Sequence, residues 1–224
     1  EDNATMWLQR SSSVTITRRY TKDENERGYN AFSYINYSTK YGFKPIMWSD
    51  MFFRVSNNGE YYSEDPHIYQ DAINSTPDNV VLVYWDYYHK NKAIYDKMIN
   101  AHKQLKNEIW FAGGAWTWTG FAPSNGHSLE TMKPAMQSLK DANIDNVSIT
   151  MWGDNGKECS FYAVLPSLYA IKRFYDGETD LNKIANLLKT RIQIFSEIPE
   201  KINFLEEFGE FDSSLYFHKK MKTD

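Results

Sequence analysis

A single cysteine, Cys159, leaves the chain without an internal disulfide and without the multi-cysteine set of a zinc site. Histidine is also sparse. His67, His89, His102, His127 and His218 form no HxxxH or HxH pair, so no histidine-based metal cluster is expected. Long apolar runs are missing too. None approaches the roughly 18 residues of a membrane helix, and no signal-peptide pattern opens the chain, so a cytoplasmic protein is expected. There is no excess of basic charge: Lys+Arg 25 stand against Asp+Glu 29, for a net charge of -4. With a pI near 5.8, that balance argues against nucleic acid or an anionic membrane as a partner. No GxGxxG or GxxxxGK[ST] follows a strand-like run; Gly113-Gly114 lies inside one instead. No cofactor is therefore expected.

What the chain has in abundance is aromatic rings. Its 224 residues include 7 Trp, 16 Tyr and 13 Phe, and with a mean hydropathy of -0.63 many of these rings must sit in partly wet places. They are not scattered. Four short apolar runs end in aromatic residues, three of them with a carboxylate: 44–50 (KPIMWSD), 80–86 (VVLVYWD), 109–116 (IWFAGGAW) and 147–154 (VSITMWGD). Taking Trp48, Trp85, Trp118 and Trp152 as markers, the spacings are 37, 33 and 34 residues, about one strand, one loop and one helix.

The segments between the runs read as helices. Tyr95, Met98, Ile99, His102 and Leu105 fall at the 3.6 period, as do Met132, Met136 and Leu139, with Ser128 placed as a helix start. Leu165, Leu168, Tyr169, Lys172 and Phe174 give another helix, ending near Asp176-Gly177. Leu181, Ile184, Leu187, Leu188, Ile192 and Phe195 give a further amphipathic one, and 197–224 read as a packed tail. Residues 30–41 read as a helix entering the first run, and Val14–Thr17 as an isolated strand. Continuous apolar strands alternating with helices indicate a parallel sheet buried on both sides. Half a (β/α)8 barrel and a doubly wound sheet both fit that order, and the absence of a glycine fingerprint weighs against the second.

In a barrel the reactive face lies at the C-terminal ends of the strands. Trp48, Trp85, Trp116, Trp118 and Trp152 all fall there, with Asp50, Asp86 and Asp154. Indole faces stack on the C–H faces of a pyranose and carboxylates accept bonds from its hydroxyls, so the pattern suits a sugar. Capture of a quaternary ammonium group is the rival use of an aromatic box. Each feature also has a plain reading, with Trp filling the core near strand ends and Asp capping the next helix. Asp86 stands out among the carboxylates because Tyr84, Trp85, Tyr87 and Tyr88 surround it. Glycosidases use two carboxyl groups, and any two of the three Asp could form such a pair.

The motifs Met-Trp-Ser-Asp-Met-Phe-Phe (47–53), Tyr-Trp-Asp-Tyr-Tyr (84–88), Ala-Gly-Gly-Ala-Trp-Thr-Trp-Thr-Gly-Phe-Ala-Pro (112–123) and Met-Trp-Gly-Asp-Asn-Gly-Lys-Glu-Cys-Ser (151–160) resemble family 20 of the glycoside hydrolases. These are exo-β-N-acetylhexosaminidases, and the likeness is to the compact bacterial type. The resemblance implies a (β/α)8 TIM barrel of which strands five to eight are present. It gives residues 1–27 as a lead-in, 28–176 as the C-terminal half of the barrel, and 177–224 as a helical extension. The implied activity is release of terminal N-acetylglucosamine or N-acetylgalactosamine by substrate-assisted, retaining hydrolysis. The substrate-binding set so implied is Trp48, Asp50, Tyr84, Trp85, Asp86, Trp116, Trp118, Trp152 and Asp154, with no metal and no cofactor.

One departure matters. The family's catalytic Asp-Glu pair has no clear counterpart, since the only Asp-Glu here is Asp23-Glu24, inside a charge run. The catalytic residues are therefore unassigned. A homodimer or a companion N-terminal half is expected to complete the barrel. Two alternatives stay open: a non-catalytic sugar-binding half-barrel, and a different glycosidase using Asp50, Asp86 or Asp154.

Overall fold

A computed structural model describes residues 40–153 and 159–192. The predicted strand at 14–17, the body of the predicted helix at 30–41, Asp23-Glu24, Asp154, Phe195 and the tail from 197 lie outside those residues. The four apolar runs are strands: β1 (Ile46–Trp48), β2 (Val81–Trp85), β3 (Ile109–Gly114) and β4 (Val147–Thr150). Each is shorter than its run, with Asp50, Asp86, Trp116 and Trp152 lying past the strand ends. They form one sheet in the order β1-β2-β3-β4, with β1 parallel to β2 and β2 parallel to β3.

The expected TIM barrel is corrected here. Among the described residues the sheet is open, and β1 and β4 are its edges. Many more of the described residues are helical than extended. Helix α1 (Asp50–Ser56) and helix α2 (Gln70–Ser75) follow β1. Helix α3 (Lys92–His102) follows β2, α4 (Asn125–Asp141) follows β3, and α5 (Leu165–Tyr175) and α6 (Leu181–Ile192) follow β4.

The chain divides into two compact units. The first takes in the described residues up to Trp85, with Ala93–Ala112 and Ile144–Val147; the second takes in Asp86–Lys92, Gly113–Asn143 and the described residues from Ser148 onward.

The first unit is built on β2, whose Val81, Leu82, Val83 and Tyr84 are all buried. Phe53 of α1, Tyr95, Met98 and Ile99 of α3, and Phe111 of β3 complete its core. Burying a side chain of this size contributes about 1.5–3 kcal/mol. On α3 the buried positions are those that the 3.6 period predicts, and Leu105 follows them inward on a short 3-10 turn. A polar chain runs through this apolar core. Ser49, immediately after β1, lies 2.7 Å from His102 Nε2 and 3.2 Å from the Tyr61 hydroxyl, while His102 Nδ1 lies 2.6 Å from the Met98 carbonyl.

The second unit packs α4 against α5 and α5 against α6. Met132, Ala135, Met136 and Leu139 of α4 are buried, as are Ala170, Ile171 and Phe174 of α5. Helix α4 begins at Asn125, a turn before the predicted Ser128. Ser128 is buried in the first turn, where its hydroxyl donates to the Ser124 carbonyl (2.8 Å) and accepts from the Trp116 amide (2.9 Å). Helix α5 has the predicted extent but a rotated face: Leu165 and Lys172 are exposed, and Ser167, Ala170, Ile171 and Phe174 turn inward. It stops at Gly177, whose φ of +94° is open to glycine at little cost.

Candidate functional site

Residues predicted to share one rim fall in different units. Trp48, Asp50, Tyr84 and Trp85 belong to the first, and Asp86, Trp116, Trp118 and Trp152 to the second.

In the first unit the chemistry is mostly spent on packing. Tyr84 is fully buried, with His102 at 4.8 Å and Phe111 at 5.2 Å between ring centroids, so it has no face for a ligand. Trp85 packs on Tyr61 and Tyr62, and its carbonyl accepts from the Tyr62 hydroxyl at 2.6 Å. Asp50 opens α1 and pairs with Arg54 one turn on, at 3.1 Å. That placement in the first turn suits the helix macrodipole, although the side chain caps no backbone N–H. Trp48 is half-buried at the end of β1.

In the second unit Asp86 is completely buried. Its Oδ1 accepts from the backbone N–H groups of Tyr88 (3.0 Å) and His89 (3.3 Å), and its Oδ2 lies 2.7 Å from His89 Nδ1. The carboxylate thus holds the loop after β2 in shape and anchors one ring.

Trp116 and Trp118 are brought together, stacked with centroids 4.7 Å apart. Tyr87 packs edge-on to Trp118 at 5.6 Å, and His127 to Trp116 at 4.3 Å. The Tyr87 carbonyl accepts from Trp116 Nε1 at 2.9 Å and lies 3.1 Å from His127 Nε2. Burial pushes the Tyr87 hydroxyl above its usual range, while hydrogen bonds from the Trp152 and Thr150 side chains act in the opposite direction. Gly114 makes this packing possible, because a Cβ there would meet the Trp118 ring at 2.8 Å and the Tyr87 ring at 2.9 Å. Trp152 keeps 42% of its surface exposed. Among the described residues, no group of three or more His, Cys, Asp or Glu could hold a metal. Among them, too, no helix is long and apolar enough to cross a membrane.

A second candidate surface begins at Phe161. The 3-10 turn Phe161–Val164 leads directly into α5. Its inner half is pinned: Ala163 and Val164 are buried, and Asn125 Nδ2 donates to the Ala163 carbonyl at 3.2 Å. The Ser167 hydroxyl in turn donates to Asn125 Oδ1 at 2.6 Å. The outer half is open, with Tyr162 82% exposed and Phe161 and Leu165 also on the surface.

After α5, the connection to α6 is set by charge and capping. Asp176 accepts from Lys172 at 2.5 Å, which, with the Lys172, Arg173 and Lys140 charges nearby, holds its carboxyl below the usual range. Glu178 is lowered similarly by its bond to Lys183. Asp180 Oδ1 accepts from the Asn182 and Lys183 amides at 2.9 and 3.3 Å, capping α6.

One comparison with known proteins takes in this second surface. A family model described as an anticodon-binding domain matches residues 161–224, a little over a quarter of the chain. Curated relatives are glutamate–tRNA ligases. That of Clostridium acetobutylicum is 46% identical over 56 residues, 23% of this chain and 12% of the ligase. That of Lachnoclostridium phytofermentans is 48% identical over 58 residues, 26% and 12%. That of Clostridium tetani is 53% identical over 55 residues, 23% and 11%. The chain thus spans about a tenth of the length of the relatives it matches.

These matches correct the family 20 glycoside hydrolase resemblance. The family model takes in residues 161–176, which the resemblance gives to the barrel, and there the likeness is to an anticodon-binding domain. The relatives are ligases rather than hydrolases, so the hexosaminidase activity, the glycosidase class and the N-acetylhexosamine partner fall with the resemblance. The alternatives of a sugar-binding half-barrel and a different glycosidase fall with them, as does the barrel-completing homodimer or companion half. The exclusion of nucleic acid is reversed as well, since an anticodon-binding domain takes one. The stretch read as a packed tail was the informative one. It ends in a short basic cluster, His218-Lys219-Lys220-Met221-Lys222, within a stretch that is otherwise acidic enough to be close to neutral.

Proposed function

We propose that the C-terminal stretch of this chain binds tRNA at its anticodon, as part of a glutamate–tRNA ligase or of a protein that carries that module. The anticodon-binding match over residues 161–224 carries the reading. Helices α5 and α6, joined by the charged turn 176–180, supply a folded, capped beginning to that module. The work is recognition: the chain's share is to hold the RNA, and the cytoplasm, where tRNA is charged, is the compartment that fits.

The test is equilibrium binding of the full chain to a tRNA-Glu transcript, followed by fluorescence anisotropy. Saturable binding that weakens when the anticodon bases are changed is the expected result. Equal affinity for every tRNA, or no binding at low salt, would overturn the proposal.

A further inference from the structure

We infer that the exposed turn carrying Tyr162, with Phe161 beside it, is a stacking platform for an unpaired base of the RNA that the C-terminal stretch binds. This inference rests on the tRNA reading and names a contact within it.

Charge supplies the first argument. Residues 161–224 hold nine Lys and Arg against ten Asp and Glu, so this stretch cannot grip a polyanion by neutralising phosphates alone. Three of its cations, Lys172, Arg173 and Lys183, are already paired with Asp176 or Glu178. Affinity must then come substantially from the bases. Proteins that read unpaired RNA do so by stacking bases on aromatic side chains, which needs no positive charge.

Geometry supplies the second. Tyr162 is 82% exposed, so its ring face is open for a base to stack on. It is not on a loose loop. Ala163 and Val164 next to it are buried, Asn125 holds the Ala163 carbonyl, and Pro166 starts α5 three residues on from Ala163. A ring held on a rigid backbone loses little freedom on binding. Phe161 and Leu165 extend the apolar surface on either side along the chain.

The experiment compares the full chain with Tyr162→Ala, Tyr162→Phe and Phe161→Ala against a tRNA-Glu transcript and its isolated anticodon stem-loop. Tyr162→Ala is expected to weaken binding to both RNAs about tenfold, the loss of one stacked base. Tyr162→Phe keeps the ring and should bind within about twofold of the parent, and Phe161→Ala should fall between the two. The salt dependence of Tyr162→Ala should match the parent's, because no phosphate contact is lost. Since Tyr162 is so exposed, its variants should melt with the parent, which separates binding from folding. Parent-like affinity of Tyr162→Ala would sink the platform and leave the tRNA reading standing. Failure of the parent itself to bind would sink both.

Discussion

His102 has both ring nitrogens committed inside the first unit, and the donors along its chain can be ordered. The Met98 carbonyl can only accept, so Nδ1 carries the proton and Nε2 is the acceptor. The Ser49 hydroxyl then gives its one proton to Nε2 rather than to the Val83 carbonyl 2.9 Å away, which accepts from the Ser49 amide; the Tyr61 hydroxyl donates to Ser49, and the Trp85 amide donates to Tyr61. Every link is satisfied with the ring neutral. Burial holds the His102 pKa at about 4. An unfolded His titrates near 6.5, so below that pH the unfolded chain binds the extra proton first. The stability this site contributes is complete above about pH 6.5 and is lost as pH falls from there toward 4. Between pH 7 and pH 5 the loss should be about 2 kcal/mol, read from urea unfolding at the two values. His102→Gln should be less stable at pH 7 and should lack this part of the slope; an unchanged slope would show that the ring is not buried neutral. At the same scale, the aromatic neighbours of Asp86 in the sequence fit both a ligand wall and simple burial, and in the structure its buried carboxylate accepts from its own loop.

Helices were legible because their signals are local. The 3.6 period located α3, and the Asp176-Gly177 pair marked the end of α5. What periodicity could not give was which side of α5 faces inward, because Leu165, Tyr169 and the smaller Ser167 and Ala170 compete for that choice. Packing on α4 decides it in favour of the small residues, which allow close approach of the two helices. The start of α6 gives a prediction at this scale. Asp180 satisfies two amides that the helix leaves without internal partners, so Asp180→Ala should cost about 1 kcal/mol. A drop in thermal midpoint with unchanged denaturant slope would register it. Asp180→Asn should recover most of the loss, since its side-chain oxygen caps equally well.

At the scale of the whole chain, the four parallel strands were visible in the spacing of the apolar runs, but how the sheet ends was not. Strand pairing beyond the fourth is a long-range fact, and a period of about 34 residues is shared by open sheets and closed barrels. Net charge was no guide at this scale either, because residues 161–224, with nine Lys and Arg against ten Asp and Glu, are as near neutral as the rest of the chain. The near-neutral balance of that stretch has a measurable outcome. Log affinity for tRNA-Glu should fall with log salt at a slope no steeper than about -2 to -3, the signature of two to four phosphate contacts. A slope near -6 would show that phosphates, rather than bases, dominate the complex.

The brevity of β1 has a bearing on solubility. An open parallel sheet offers its outermost strand as a template on which another chain can add. Among the described residues that strand is β1, three residues long; Pro45 before it has no N–H to offer, and exposed Lys44 sets a charge beside it. The Ser49 amide just beyond it is already spent on the Val83 carbonyl. A neighbouring chain would find too few free donors and acceptors to extend the sheet, so this edge of the protein resists the fibrous association that an unclosed sheet otherwise invites.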